Sequence, residues 1–290
     1  NIGKVNLEAF DEIVLNAYQA CQTGDLEAFY HALGASGDDW ELFFNENKDI
    51  VYAIATLKSA EDAAALTQNY HEQLDTFVSR MRDGYYDLSF NIPQTKPHTI
   101  DIAQAQAVFK TIYDNKDNTI ALTAGLSSLE DGWKNYIADH PNTVVAISSL
   151  ESDDKLGDLI AQQQEQLTKH IESYNQQQLD ELEEPDVIFD TLCRIIFAAK
   201  SSKKSMAITN ILDKLSEQDN IFFQENKRLK ELTALANTTE LDAFVEAKTP
   251  GYIKMFVEKV LAGRPRSIDT VVAFLKQLYA LHADVAARDK

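Results

Sequence analysis

The chain has 290 residues, a formal net charge of −19, 44% hydrophobic residues, 10 glycines and 6 prolines. That apolar content excludes a disordered chain, and the scarcity of glycine and proline disfavours a turn-rich β architecture. No stretch approaches the ~18 apolar residues of a membrane span, and the charge disfavours phosphate-rich partners. Residues 1–190 hold 11 Lys/Arg and 34 Asp/Glu, whereas residues 191–290 hold 16 and 12. An acidic surface of that extent repels nucleic acid and anionic membranes, so no nucleic-acid partner is expected.

The chain opens on Asn1-Ile2-Gly3-Lys4, with no basic-then-apolar leader and no methionine. A processed chain, a tag remnant or an excised fragment is expected from that. Helical periodicity then predicts five helices, about 7–22, 25–34, 38–46, 48–58 and 60–82. The last carries Ala63, Leu66, Tyr70, Leu74, Phe77 and Met81 on one stripe, spaced by threes and fours.

At 85–102 the period changes. Tyr86, Leu88, Phe90 and Ile92 alternate with polar residues, as in a strand. Pro93-Gln94-Thr95-Lys96-Pro97 follows as a turn-like string. A short β-hairpin is expected here. Tyr86, Leu88, Phe90, Ile92 and Pro93 are its candidate protein-binding residues, with the prolines stiffening the tip.

Helical patterning resumes from about 100, and the chain now repeats itself. Shifted by 93, residues 38–74 lie over 131–167 with eleven identities in 37 positions, Trp40/Trp133 and Leu66/Leu159 among them. Shifted by 179, Phe10-Asp11 falls on Phe189-Asp190, and Phe43-Phe44 on Phe222-Phe223. Helix N-caps are expected at Asn47 and Asn226, with Pro141 at N1 of the matching helix. Further starts are expected at Ser59, Ser152 and Thr238 or Thr239, each followed by acids. A long helix is expected over 153–183. A later one is expected to stop at Thr249-Pro250-Gly251, with another over 252–262.

The expected fold is therefore all-α: an α-solenoid-like array of about three ~90-residue repeats with one hairpin insertion. The domains read as 1–99, 100–188, 189–267 and, from 268 to 290, the start of a fourth repeat.

Chemistry-bearing motifs are missing from the sequence. The six histidines, His31, His71, His98, His140, His170 and His282, show no ligand spacing, and no HExxH or CxxC occurs, so no metal is expected. There is no phosphate-cradling glycine loop and no G-x-S-x-G elbow, so no cofactor and no catalytic residue is assigned. Cys21 and Cys193 sit on apolar stripes and read as buried thiols of a reducing compartment. Arg264 and Arg266 stand in a basic loop that reads as a helix–helix turn near a helix C-terminus, the alternative being an arginine offered to a phosphate.

The acidic, Asn/Gln/Lys-rich helical array, without a leader and with few cysteines, resembles regions of effectors that intracellular bacteria secrete into host cells. That resemblance implies a cytoplasmic protein delivered into a host cytosol, with a host-directed binding role in virulence. The reading favours a protein–protein interaction module with a protein partner over an enzyme. The alternatives are a regulator of a small GTPase or trafficking coat, and an enzyme of unrecognised family.

Overall fold

The computed structural model describes residues 5–87, 90–202, 204, 206–262, 276 and 279. Among them the ordered elements are all helical, and no helix is long and apolar enough to cross a membrane. Contacts divide the chain into two compact units, residues 1–82 with 100–172, and residues 83–99 with 173–290.

The first unit begins with α1 (Leu7–Thr23), α2 (Leu26–Gly34), α3 (Asp38–Glu46), α4 (Lys48–Ala55), α5 (Ala60–Asn69) and α6 (His71–Arg82). Local chemistry explains the starts. Asn6 Oδ1 accepts from the Ala9 amide at 2.8 Å, Asp25 Oδ1 from Ala28 at 2.9 Å, and Ser59 Oγ from Asp62 at 3.2 Å. Each satisfies one of the amides a helix start leaves unpaired. Gly24, at φ 69°, ends α1 in the left-handed conformation, and its amide donates to the Cys21 carbonyl.

The unit continues with α7 (Ala105–Asp114), α8 (Thr119–Ser127), α9 (Asp131–Asp139), α10 (Pro141–Ser148), α11 (Leu156–Gln162) and α12 (Gln164–Asp180), the last shared with the second unit. Pro141 stands at the first turn of α10, as expected. Helix α8 lies against α4 through Gly125, where an added Cβ would come within 2.8 Å of Thr111 Cγ2 and 3.1 Å of the Tyr52 ring.

The second unit contains α13 (Pro185–Ser201), α14 (Ala207–Lys214), α15 (Glu217–Gln224), α16 (Arg228–Ala234) and α17 (Thr238–Met255). Its core gathers Phe189, Leu192, Cys193, Ile196, Phe223, Leu232, Tyr252 and Phe256. The positions aligned by sequence share a packing geometry. Phe10 meets Phe43 edge-on at 5.6 Å and 86°, and Phe189 meets Phe222 at 5.6 Å and 87°. Trp40 and Trp133 are both buried in the first unit.

Several expected elements differ. No strand occurs among the described residues of 85–102, so the hairpin is not formed. The segment runs instead as an irregular strap on the second unit. Phe90 and Ile92 pack against that unit's core, and Thr95 is buried. The apolar residues that imitated a strand are spent instead on packing this segment against the core.

The expected helix over 60–82 is two helices broken at Tyr70, and that over 153–183 breaks at Gln163 after a short 3-10 turn, Asp153–Lys155. Asn47 stands at the N-cap position of α4, as expected, but makes no side-chain cap bond there. Its Nδ2 donates back to the Phe43 carbonyl at 2.8 Å, so it closes α3. Asn226 sits at φ 51° in a 3-10 turn, followed by Lys227 at φ 60°. Asn tolerates that left-handed geometry better than most residues, which favours it there without any capping role. The cap of α17 is Asn237, whose Oδ1 accepts from Glu240. Helix α17 runs through Pro250 and continues into a π-helix, Phe256–Leu261. Buried Tyr252, Ile253 and Phe256 hold it in place against the loss of one backbone donor at the proline.

Candidate functional site

A cleft of about 600 Å³ opens in the first unit, where α2, α3, α4 and α8 meet. Each helix lines it with residues three or four apart, so each shows it one stripe. Helix α2 gives Tyr30, Leu33 and Gly34, and α3 gives Glu41, Phe44 and Asn45. Helix α4 gives Lys48 and Val51, and α8 gives Thr123, Ala124 and Ser127.

The floor is apolar, with Leu33, Phe44, Val51 and Ala124 all buried. The rim is polar and open: Glu41, Asn45 and Lys48 are exposed, and Tyr30 leaves its ring 39% accessible. A side chain at Gly34 would meet nothing within 4 Å, so the α2 wall is bare there.

Of the hydroxyls in the cleft's lining, those on α8 are committed to their own helix, Thr123 Oγ1 donating to Thr119 O and Ser127 Oγ to Thr123 O, each at 2.8 Å. No cysteine or histidine lines it. A nucleophile needs a base within hydrogen-bond reach, and this lining offers no such pair. Elsewhere among the described residues, no group of three His, Cys, Asp or Glu side chains is placed to hold a metal. Its volume lies in the ordinary range for a ligand pocket, about 300–1,000 Å³.

Two buried polar networks lie apart from the cleft. In the first unit, the Tyr136 hydroxyl donates to Gln163 Oε1 at 3.0 Å and accepts from Gln166 Nε2 at 2.9 Å. The rings of His140 and His170 pack on Tyr136. In the second unit, Asp219 is fully buried. It accepts from Tyr252 Oη and Ser216 Oγ, each at 2.7 Å, and from the Thr95 side chain of the strap. Burial pushes the Asp219 carboxyl above the usual range, although the three hydroxyl donors pull the other way. Burial and the neighbouring carboxyl also hold the Tyr252 phenol well above its ordinary value.

The residues singled out by sequence are scattered. Ile92 and Phe90 pack on their own unit, Pro93 is half-buried, and Tyr86 stacks edge-on against Tyr85. Leu88, Arg264 and Arg266 lie outside the described residues. Burial pushes the Cys21 thiol up to about 11 and the Cys193 thiol higher still, so neither is a thiolate at neutral pH.

No motif marks the cleft in the sequence, because its lining comes from four helices each following an ordinary amphipathic pattern. Asp219 did have a signal. The shift by 179 sets this acid on the column of Trp40, a core position. No protein-family model, curated protein or solved structure matches the chain.

Proposed function

We propose that this protein is a helical-repeat interaction module that binds a protein partner through the α2–α3–α4–α8 cleft. The observation that carries the reading is the cleft's make-up: a buried apolar floor inside a polar rim, with the α8 hydroxyls already bonded to their own helix. Concave apolar surfaces with a few polar groups at the edge suit an incoming segment, with the polar groups setting its orientation.

The repeat is part of the proposal. The coincident identities at shifts of 93 and 179, and the matching edge-on pairs Phe10/Phe43 and Phe189/Phe222, support three diverged copies of one helix plan. Such arrays display extended binding surfaces.

Ser127→Trp places an indole at the cleft wall from a half-buried position. Wild-type and Ser127→Trp chains, matched for melting temperature, would be used as bait in cell lysate and their captured proteins compared by mass spectrometry. The proposal expects specific proteins to be lost from the variant. Identical capture by the two chains would overturn it.

A further inference from the structure

We infer that the occupant of this cleft is a cationic amphipathic peptide segment, with its apolar side chains on the floor and Lys/Arg residues along the rim. The inference rests on the cleft being the contact surface, and adds the charge and form of what enters it.

Charge complementarity carries it. Eight of the eleven lining residues come from residues 30–51. The stretch 25–51 that holds them contains seven acids, Asp25, Glu27, Asp38, Asp39, Glu41, Glu46 and Asp49, against Lys48 as its one Lys or Arg. The remaining wall, α8, contains no charged residue over 119–127. The charged groups of the lining itself are Glu41 and Lys48, so the negative field comes from the acids around the cleft rather than from its walls. At the rim, Glu41 makes no ion pair among the described residues, so its carboxylate is open to an incoming cation. The whole first unit adds to the effect, with 10 Lys/Arg and 26 Asp/Glu over residues 1–82 and 100–172. An excess of acids around a low-dielectric concavity concentrates cations and repels anions.

The floor sets the other half of the chemistry. Leu33, Phe44, Val51 and Ala124 offer nothing to a purely polar ligand. A cleft of about 600 Å³ holds several side chains, so it suits a segment with successive apolar anchors better than one isolated residue. Apolar anchors at helical spacing flanked by Lys/Arg satisfy floor and rim together.

The test measures fluorescence anisotropy of the full chain with three labelled peptides of about fifteen residues. They share one apolar stripe and carry Lys, Gln or Glu on the polar face. The Lys peptide is expected to bind at least about tenfold tighter than the Gln peptide at low salt, and the Glu peptide to bind more weakly than either. The preference should shrink as ionic strength rises from about 0.01 M to about 0.15 M, where the Debye length falls from about 30 Å to about 8 Å. Glu41→Lys should weaken the Lys peptide about fivefold and leave the Gln peptide unchanged. Ser127→Trp should remove binding of both.

If the Gln or Glu peptide binds as tightly as the Lys peptide, and Ser127→Trp still abolishes it, the charge inference is wrong and the cleft remains a binding surface. If no peptide shows binding that Ser127→Trp removes, the cleft reading itself falls, and any attraction of the Lys peptide belongs to the acidic surface at large.

Discussion

Tyr252 donates its phenolic proton to Asp219 Oδ1 at 2.7 Å, joining the end of α17 to the start of α15 inside the second unit. The Tyr252 ring also stacks on Phe189 at 4.9 Å and 21°. In the first unit, Trp40 stacks on Phe10 at 5.9 Å and 25°. The sequence aligns Phe189 with Phe10 and Asp219 with Trp40. Phe189 is thus stacked both by Phe223, at 5.9 Å and 26°, and by a tyrosine from a different helix, and the residue aligned with the tryptophan accepts that tyrosine's hydroxyl.

This pair predicts a pH dependence. The Asp219 carboxyl titrates above its unfolded value, about 3.9, because burial opposes its charge. A raised folded value means the group's contribution to stability is complete below about pH 3.9 and is lost as pH rises through the folded value. Asp219→Asn removes that titration. The stability of wild type relative to Asp219→Asn, from urea unfolding at several pH values, should therefore be greatest in acid and decline toward neutrality. A difference independent of pH would refute the assignment.

The two tryptophans differ in one hydrogen bond. Trp133 Nε1 donates to Gln104 Oε1 at 2.9 Å, whereas the buried Trp40 Nε1 has no partner among the described residues. Replacing either by alanine should cost about 3–5 kcal/mol. Replacement by phenylalanine separates them. Trp133→Phe should cost about 1 kcal/mol more than Trp40→Phe, since only the former breaks a bond. Equal costs in chemical denaturation would show that the Gln104 contact contributes nothing.

Gly125 makes a prediction against helix propensity. Alanine gains about 1 kcal/mol over glycine in a helix interior. Here the new Cβ meets Thr111 Cγ2, held by the Thr111 hydroxyl's bond to Ala107 O at 3.0 Å. It also meets the Tyr52 ring, whose hydroxyl is fixed by Asn115 Nδ2 at 2.8 Å. Gly125→Ala should therefore destabilise by about 1–3 kcal/mol. In a double-mutant cycle, Asn115→Ala should lower that cost by freeing the Tyr52 ring.

The strap gives the fourth prediction. Ile92 rests against the core of its own unit, so Ile92→Asp should lower stability by about 1–3 kcal/mol by placing a carboxylate against apolar side chains. An unchanged melting temperature would restore the view of Ile92 as an exposed contact residue.

Much of the fold was legible in the sequence, for reasons that are local. The α1, α2, α3 and α10 boundaries follow from caps, a left-handed glycine and a first-turn proline, all of which act within four residues. Burial of Trp40 and Trp133 followed from their place on an apolar stripe beside further aromatics. The break at Tyr70 was hidden because the apolar spacing of 63–81 continues across it. The strap reads as a strand in the sequence because alternation reports only that its apolar residues are to be covered. It says nothing about what covers them.

What the sequence alone determined is the all-helical composition, the internal repetition and the acidity of the first two-thirds of the chain. These depend on residue types and spacings, which the linear order contains. The tertiary structure decided which stripes face each other. It laid Phe90 and Ile92 on a core that begins about ninety positions away at Leu182, set Asp219 under Tyr252 and Thr95, and brought Leu33, Phe44, Val51 and Ala124 to one cleft floor. Each of those meetings costs chain entropy and is repaid only by burial shared between distant segments, and no local pattern records which distant partner a stripe will find.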